Sequence, residues 1–454
     1  MIAVPGFEGR RVAVFGLGRS GITAARALHA GGAIPILWDD SVSGRMQAEA
    51  EGFAVEDLGR ADWSQFAALV LSPGAPLTHP KPHWTVDRAR AASVEIIGDI
   101  ELFARAMARM PATVRPKVIA ITGTNGKSTT TALIGWVLKQ AGLKVAVGGN
   151  IGIGVLALPA PAEVGVYVIE VSSYQLDLTT GFAPDVAILT NISPDHLDRH
   201  GGMEGYVAAK ARIFTHAGLS LVGVDDDWGK RIAATVVGSR TVSTNGTPAD
   251  ISVPDRRLRA DGETIDLSLA RSLPGRHNAQ NAAFAYAAAR AVGVPHDAAV
   301  EGLMTFPGLA HRMEHVATLG RVRFINDSKA TNADAARQAL SSYERSFWIV
   351  GGRAKAGGID ELEDLFPRVV EAFLIGESAG PFAARLGDTP HRISGDMASA
   401  VQAAAEAAAA TGREAVVLLS PAAASFDQYP DFEARGEAFR AAVLNLGATP
   451  SGHG

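Results

Sequence analysis

The sequence predicts an α/β fold with three domains in series: a Rossmann-like N-terminal domain, a central P-loop-type ATPase domain with a mainly parallel sheet, and a Rossmann-like C-terminal domain. Three observations lead there. The chain has 454 residues, which at about 150 residues per domain suggests three. Short apolar runs of strand type alternate with helical patterns throughout, the signature of βαβ units. Two glycine-rich turns, within 16–21 and 123–129, each follow such a run and open a helix.

The first domain, residues 1–110, begins with the strand Arg11–Phe15 and a helix over Ser20–Ala30 that Gly31 ends. Strands follow at Ile34–Trp38, Ala68–Leu71 and Val94–Ile97, then a helix around Ile100–Met110. Pro111 and Pro116 flank a polar stretch that reads as a linker. The second domain, 111–306, places strands at Lys117–Thr122, Lys144–Val147, Val164–Ile169 and Val186–Leu189. Shorter strands and turns fill 220–270, and a helix covers Asn278–Val292. Pro307-Gly308 marks the second break. The third domain, 307–454, carries strands at Arg321–Ile325, Ser346–Val350, Ala372–Ile375 and Glu414–Leu419. Its Ala-rich stretch Ala400–Ala410 is interrupted by Gln402 and Glu406, so it reads as a helix capped near Ser394 or Asp396 and stopped by Gly412.

Composition removes several functions. Lys and Arg number 42 against 47 Asp and Glu, a formal net charge of −5, without the positive excess of a sequence-independent nucleic-acid binder. At 47% hydrophobic and 20% charged, the chain has apolar surface for several cores. Cysteine is absent, so disulfides, Cys-ligated metal, a thiol nucleophile and an enzyme thioester are all excluded. Met1–Arg10 has no basic stretch followed by an apolar core, and no run of about 18 apolar residues occurs. The expectation is a cytoplasmic protein without membrane insertion.

The first turn, Gly16-Leu17-Gly18-Arg19-Ser20-Gly21, lets backbone N–H groups approach a phosphate at a helix N-terminus. Asp39 and Asp40 stand at the tip of the next strand, where a carboxylate can hydrogen-bond a ribose hydroxyl. Ser72-Pro73-Gly74 closes another strand of the same domain and can line the same crevice. Alone, this pattern fits a diphosphate site or simple helix–sheet packing. An NAD(P)-dependent oxidoreductase therefore stays open at this point.

The second turn is more specific. Gly123-Thr124-Asn125-Gly126-Lys127-Ser128-Thr129 joins a strand to a helix. Its amides can cradle a triphosphate, Lys127 can reach the β/γ groups, and Ser128 can hold Mg²⁺. Ile121 stands where the full Walker pattern wants glycine. Glu170 ends an apolar strand ahead of Val171-Ser172-Ser173, as the carboxylate beside an ATP-type site would. A further strand ends in Thr190-Asn191-Ile192-Ser193-Pro194-Asp195-His196-Leu197-Asp198, placing His196 among acids at the sheet edge.

Together with further stretches, these motifs resemble the Mur ligases of bacterial cell-wall synthesis nearly end to end. The stretches include Gly98-Asp99-Ile100-Glu101, Gly148-Gly149-Asn150-Ile151-Gly152, His277-Asn278-Ala279-Gln280-Asn281, His311-Arg312, Asn326-Asp327-Ser328-Lys329 and Ser420-Pro421-Ala422 with Ser425-Phe426-Asp427-Gln428. The short first domain and the Ser-Pro-Ala stretch point to the D-glutamate-adding branch. The resemblance implies peptidoglycan-precursor synthesis by a monomer. ATP would phosphorylate the carboxylate of UDP-N-acetylmuramoyl-L-alanine, and the D-glutamate amine would attack the acyl phosphate.

The resemblance also implies roles for individual residues. Lys127, His196, Lys210 and Lys329 would serve catalysis. Two Mg²⁺ ions would be held by Ser128 and Glu170, and by His196 and a carbamylated Lys210. Read alone, Lys210 in Ala208-Ala209-Lys210-Ala211-Arg212 is an ordinary helix-surface lysine. ATP would meet Gly123 to Thr129, Asn278, Asn281, Arg312 and Asp327. The UDP end would meet Gly18, Arg19, Ser20, Asp39, Asp40, Ser72, Gly74, Asn150 and Ser172. Ser41 replaces the family's common basic residue there. D-Glutamate would meet Thr331, Lys355, Ser425 and Phe432. A non-catalytic nucleotide-gated protein on the same fold is the remaining alternative, and the presence of His196, Lys210 and Lys329 speaks against it.

Overall fold

A computed structural model of the chain describes residues 1–355 and 357–451. Ala356, in the glycine-rich stretch around Lys355, and residues 452–454, the end of the third expected domain, lie outside the described residues. Three sheets carry the fold.

The first sheet is wholly parallel, in the spatial order Ala54–Val55, Ile34–Trp38, Arg11–Phe15, Phe66–Leu71, Glu95–Ile97. The chain leaves Arg11–Phe15 to one side and returns to the other, which opens a crevice at the carboxyl ends of the two inner strands. Val12, Ala13 and Val14 are fully buried, as expected of a parallel strand covered on both faces.

The second sheet has nine strands, with Lys117–Thr122 between Val166–Glu170 and Val186–Leu189. Val145–Gly149 flanks it on one side. Leu219–Gly223, Arg240–Ser243 and Ile251–Ser252 extend it in parallel on the other. Arg257–Ala260 and Glu263–Asp266 add an antiparallel edge.

The third sheet runs His391–Gly395, Val369–Ile375, Ser346–Gly351, Ala415–Leu419, Val322–Asn326 in parallel. Glu314–Leu319 and Thr449–Pro450 then pair antiparallel. The Glu314–Leu319 strand was not expected from the sequence. It is half of a hairpin turned by Gly320, at φ +58°, so no helix separates it from the next strand.

Element ends moved little. The first helix starts at Arg19 rather than Ser20, and the Ala-rich helix Met397–Ala410 takes Asp396 as its cap, the carboxylate accepting Ser399 N–H at 2.8 Å. The helix after the first sheet is Asp99–Ala108, not Ile100–Met110.

The chain forms two compact units, Met1–Leu269 with Ala279–Thr305, and Ala270–Asn278 with Phe306–Gly454. In the first unit one core runs through both sheets. Ile100, Leu102 and Phe103 on helix Asp99–Ala108 are fully buried, each worth roughly 2 kcal/mol by apolar burial. On the same helix, Glu101 accepts the N–H groups of Thr180 and Gly181 at 2.8 Å, and Gln175 donates to both oxygens of buried Asp99. In the second unit, Ser272 Oγ donates to the Phe306 carbonyl, and a Cβ on Gly275 would lie 2.9 Å from Ser342 Oγ. Residues 270–278 therefore pack with the third segment, ahead of the break that Pro307-Gly308 marks. Among the described residues no helix is long and apolar enough to cross a membrane.

Candidate active site

The crevice of the first sheet is closed by glycines. Gly16 has φ +87°, and a Cβ there would sit 2.4 Å from Ser72 Cβ. A Cβ on Gly21 would lie 1.9 Å from the Gly16 carbonyl oxygen. Only glycine permits both approaches. The resulting cavity, about 180 Å³, is lined by Gly18, Arg19, Ser20, Ser72, Gly74 and Asn150, six of the nine residues assigned to the UDP end. Gln175 also lines it and was not foreseen. The other three residues are placed differently. Asp39 turns back on the glycine turn, accepting the N–H groups of Leu17 at 2.5 Å and Ser41 at 2.7 Å. Asp40 lies 3.3 Å from His83 Nε2. Ser172 caps helix Ser173–Asp177 in a capping box with Gln175.

The phosphate loop is pinned on every side. Gly123 has φ +145°, and a Cβ there would stand 2.0 Å from Thr190 Oγ1. Gly126, at φ +81°, caps the helix Lys127–Gln140, whose first turn carries no acidic side chain. The positive end of that helix is left for an anion. Thr124 N–H donates to the Asn191 carbonyl and Asn125 N–H to Asn191 Oδ1, both at 2.9 Å. Thr190 Oγ1 donates to the Asn125 carbonyl at 2.6 Å. Lys127 Nζ lies over its own loop, donating to the carbonyls of Gly123 at 2.9 Å and Thr124 at 2.8 Å. Ile121 is a buried strand residue in register with Glu170. The Walker glycine position thus falls inside the sheet, and the turn begins later.

Lys210 is not the helix-surface residue that a reading of its neighbours alone suggests. It lies on helix Met203–Ala211 and is 2% exposed. Its Nζ donates to the Gly123 carbonyl at 2.7 Å and stands 4.7 Å from the Tyr206 ring centroid. Burial, and then the nearby charge of Lys127, pull its amine well below the ordinary lysine range, against the opposing pull of Asp195 and Glu170. Glu170 is 2% exposed and accepts Asn150 Nδ2 at 2.8 Å. Asn150 lines the crevice of the first sheet, and Glu170 stands in register with Ile121 ahead of the glycine loop, so that contact ties the two regions together. His196 sits just ahead of helix Leu197–His200 at φ +54°, with Nε2 3.4 Å from Asp195 Oδ2 and its ring 5.0 Å from Tyr174. Ser128 is buried on the loop helix. Asn281 Oδ1 accepts Thr130 Oγ1 at 3.1 Å and lies 2.7 Å from where a Gly126 Cβ would be.

In the second unit, Asn278 donates to the Pro274 carbonyl at 2.9 Å. Asp327, at the end of strand Val322–Asn326, accepts Met313 N–H at 3.2 Å and Ser420 Oγ at 3.0 Å. Burial pushes its carboxyl up to about 7 against the opposing charge of Arg312. Lys329 Nζ stands 4.7 Å from the Phe432 ring centroid. Thr331 N–H donates to the Lys329 carbonyl at 2.9 Å. Ser425 is 2% exposed. Arg353, two residues before Lys355, exchanges backbone hydrogen bonds with Ala424, the residue before Ser425, both at 2.9 Å. Lys329 thus meets Phe432, while the Lys355 and Ser425 loops are joined by their backbones.

Sequence reasoning missed Tyr206, Gln175 and Arg435. Tyr206 OH lies 3.0 Å from Thr124 Oγ1, under the loop and beside Lys210. Its spacing of four from Lys210 on a helix was the available signal. Gln175 follows Ser172 by three, the capping-box spacing.

Two family models match the chain. The Mur ligase middle domain covers residues 121–289, and the Mur ligase glutamate ligase domain covers 311–423. A protein from Caulobacter vibrioides named UDP-N-acetylmuramoylalanine–D-glutamate ligase is 61% identical over 99% of this chain and 98% of its own length. The chain belongs to the Mur ligase family. A ligase of the same name from Agrobacterium fabrum is 52% identical over 98% of the chain and 97% of its own length. Among solved structures, UDP-N-acetylmuramate-alanine ligase from Thermotoga maritima superposes with a TM-score of 0.61 at 17% identity, covering 96% of this chain and 99% of that one. At that identity the likeness shows the fold alone, and it matches the three-sheet Mur ligase architecture.

Proposed function

We propose that this Mur ligase is an ATP-dependent ligase that adds D-glutamate to UDP-N-acetylmuramoyl-L-alanine in peptidoglycan-precursor synthesis. The observation that carries this reading is end-to-end identity of 52–61% to proteins named for that reaction. In this reading residues 1–110 take the UDP end, 111–306 bind ATP, and 307–454 receive the amino acid. The reading includes a monomer acting in the cytoplasm.

A free carboxylate is a poor electrophile. Its oxygen attacks the γ-phosphorus of ATP and ADP leaves, giving an acyl phosphate. The D-glutamate amine then adds to the carbonyl carbon, phosphate leaves from the tetrahedral intermediate, and the nitrogen loses its proton to give the amide. Both steps build negative charge that cations and aimed N–H donors must meet. Lys127 sits among the loop amides, from which its amine swings onto a triphosphate by exchanging the Gly123 and Thr124 carbonyls for phosphate oxygens. Among the cations of the second unit, this reading assigns Arg312 to ATP and Lys329 to catalysis. Asn150, bonded to Glu170, positions the sugar-diphosphate end beside the phosphate loop.

The donor chemistry fits magnesium, since the Ser128 hydroxyl and the Glu170 carboxylate are hard oxygen ligands. His196 with Lys210 would hold a second ion if Lys210 is carbamylated. Bound Mg²⁺ would neutralise phosphate charge as it shifts. An ammonium cannot hold a cation. The buried, proton-poor amine of Lys210 is the form that adds CO₂, and the carbamate would supply the missing oxygens.

Oxygen labelling tests the route. With ¹⁸O in the carboxylate of UDP-N-acetylmuramoyl-L-alanine, the released phosphate should carry one ¹⁸O. Phosphate without label, or ATP hydrolysis indifferent to both co-substrates, would overturn the reading.

A further inference from the structure

Arg435 has no part in the scheme above, yet it is among the most deeply buried large side chains of the second unit, 1% exposed on helix Phe432–Asn445. An arginine is rarely so buried unless its nitrogens are paired, and here each of the three has a partner. Its Nε donates to Ser328 Oγ at 3.0 Å, one terminal nitrogen to the Ser328 carbonyl at 2.7 Å, and the other to the Ala423 carbonyl at 3.0 Å. Ser328 Oγ in turn donates to the Phe432 carbonyl at 2.8 Å.

Four chain segments therefore meet on one guanidinium. Ser328 precedes Lys329 and Thr331, Ala423 precedes Ser425, and Phe432 begins the helix that carries Arg435 itself. The fourth segment is the strand end leading to Lys355. A Cβ on Gly352 would stand 3.1 Å from the guanidinium and 2.3 Å from the Ala424 carbonyl oxygen, so this backbone passes directly against Arg435. These are the four segments assigned to the incoming amino acid. A guanidinium is a planar fork whose donors point in fixed directions. It sets the spacing of the loops it joins, as a flexible ammonium cannot.

We propose that Arg435 is a positioning residue for the amino-acid site: it touches no substrate and sets the relative placement of Lys329, Thr331, Lys355, Ser425 and Phe432. The inference rests on the amino-acid end of the proposed function. Burial lowers the guanidinium to about 10, with Asp427 opposing most strongly, so it stays charged at neutral pH. Loss of this fork lets the four loops drift independently. The amino-acid subsite is then damaged, while the UDP crevice, which lies in the first unit, is untouched.

The test is steady-state kinetics with each substrate varied in turn, on the full chain, alongside thermal unfolding. In R435M the KM for D-glutamate should rise at least tenfold, with the KM for UDP-N-acetylmuramoyl-L-alanine within about twofold of wild type. R435K, keeping charge without the fork, should recover only part of the loss. An equal rise in the KM for UDP-N-acetylmuramoyl-L-alanine, or a lower Tm with an unchanged D-glutamate KM, would overturn the proposal. S328A covers the case in which R435M does not fold, because it keeps both guanidinium–carbonyl bonds and removes only the shared hydroxyl. Its D-glutamate KM should rise about threefold, and an unchanged value would overturn the positioning role. Wild-type enzyme that forms no amide with D-glutamate refutes the functional reading instead, which keeps the two failures apart.

Discussion

Substituting Gly123 by alanine puts the phosphate loop under a load that can be worked from its geometry. At φ +145° an alanine is strained wherever there is space, at about 1–3 kcal/mol. Here there is none, because the new Cβ stands 2.0 Å from Thr190 Oγ1 and 3.2 Å from both N and O of Asn191. Thr190 Oγ1 cannot give way freely, since it holds the Asn125 carbonyl at 2.6 Å. Breaking that bond adds about 1 kcal/mol, for a total of about 2–4 kcal/mol. If the loop moves instead, the Gly123 carbonyl shifts away from the Lys127 and Lys210 amines that it accepts. A displacement near 1 Å costs up to about a hundredfold in turnover. G123A should therefore raise the KM for ATP or lower kcat by one to two orders of magnitude and lower denaturant stability by those few kcal/mol. The double variant G123A/T190A relieves the contact but not the backbone strain. It should be more stable than the sum of the two single variants predicts. Wild-type stability and ATP kinetics in G123A, or strict additivity in the cycle, would refute the reasoning.

Three further outcomes follow from the same geometry. The carboxyl of Asp327, raised by burial from the ordinary carboxylate range to about 7, favours the folded state when protonated. Its contribution is full below about pH 4 and is lost as pH rises towards 7, by up to about 4 kcal/mol for a shift of about three pH units. D327N should flatten stability over that range in urea unfolding, and an unchanged pH dependence would exclude Asp327 as the source. K210R keeps a cation but cannot form a carbamate, so turnover should fall to a few per cent of wild type or less. ¹³C-bicarbonate should give a carbamate NMR signal in wild type that K210R lacks; absence of that signal in active wild-type protein would count against the carbamate. D396A removes the cap of helix Met397–Ala410 and should cost about 1 kcal/mol of stability with kinetics unaltered. A change in KM there would show that the cap does more than end a helix.

What the sequence made legible was local. Glycine turns after apolar runs located the starts of both helices that follow them, because strand, turn and cap are specified by residues a few positions apart. Asp39 shows where such reading stops. It stood at the expected strand tip, but its carboxylate holds the glycine turn through Leu17 N–H, a contact 22 positions back. Lys210 shows the same limit. Alanines around a lysine suggest an exposed helix face, and only the tertiary fold brings Gly123 to its amine. The hairpin strand Glu314–Leu319 escaped notice since a two-residue turn left no helix to announce it. Arg435 had no local signal at all, for its partners lie 12 and 107 positions away.

The central claim is that this chain makes an amide between D-glutamate and UDP-N-acetylmuramoyl-L-alanine at the expense of ATP. The most direct test supplies that nucleotide and ATP with a panel of D- and L-amino acids, scoring amide product and phosphate together. D-Glutamate should give amide with one phosphate released per bond formed. Amide with another amino acid in preference to D-glutamate, or phosphate release without any amide, would contradict it.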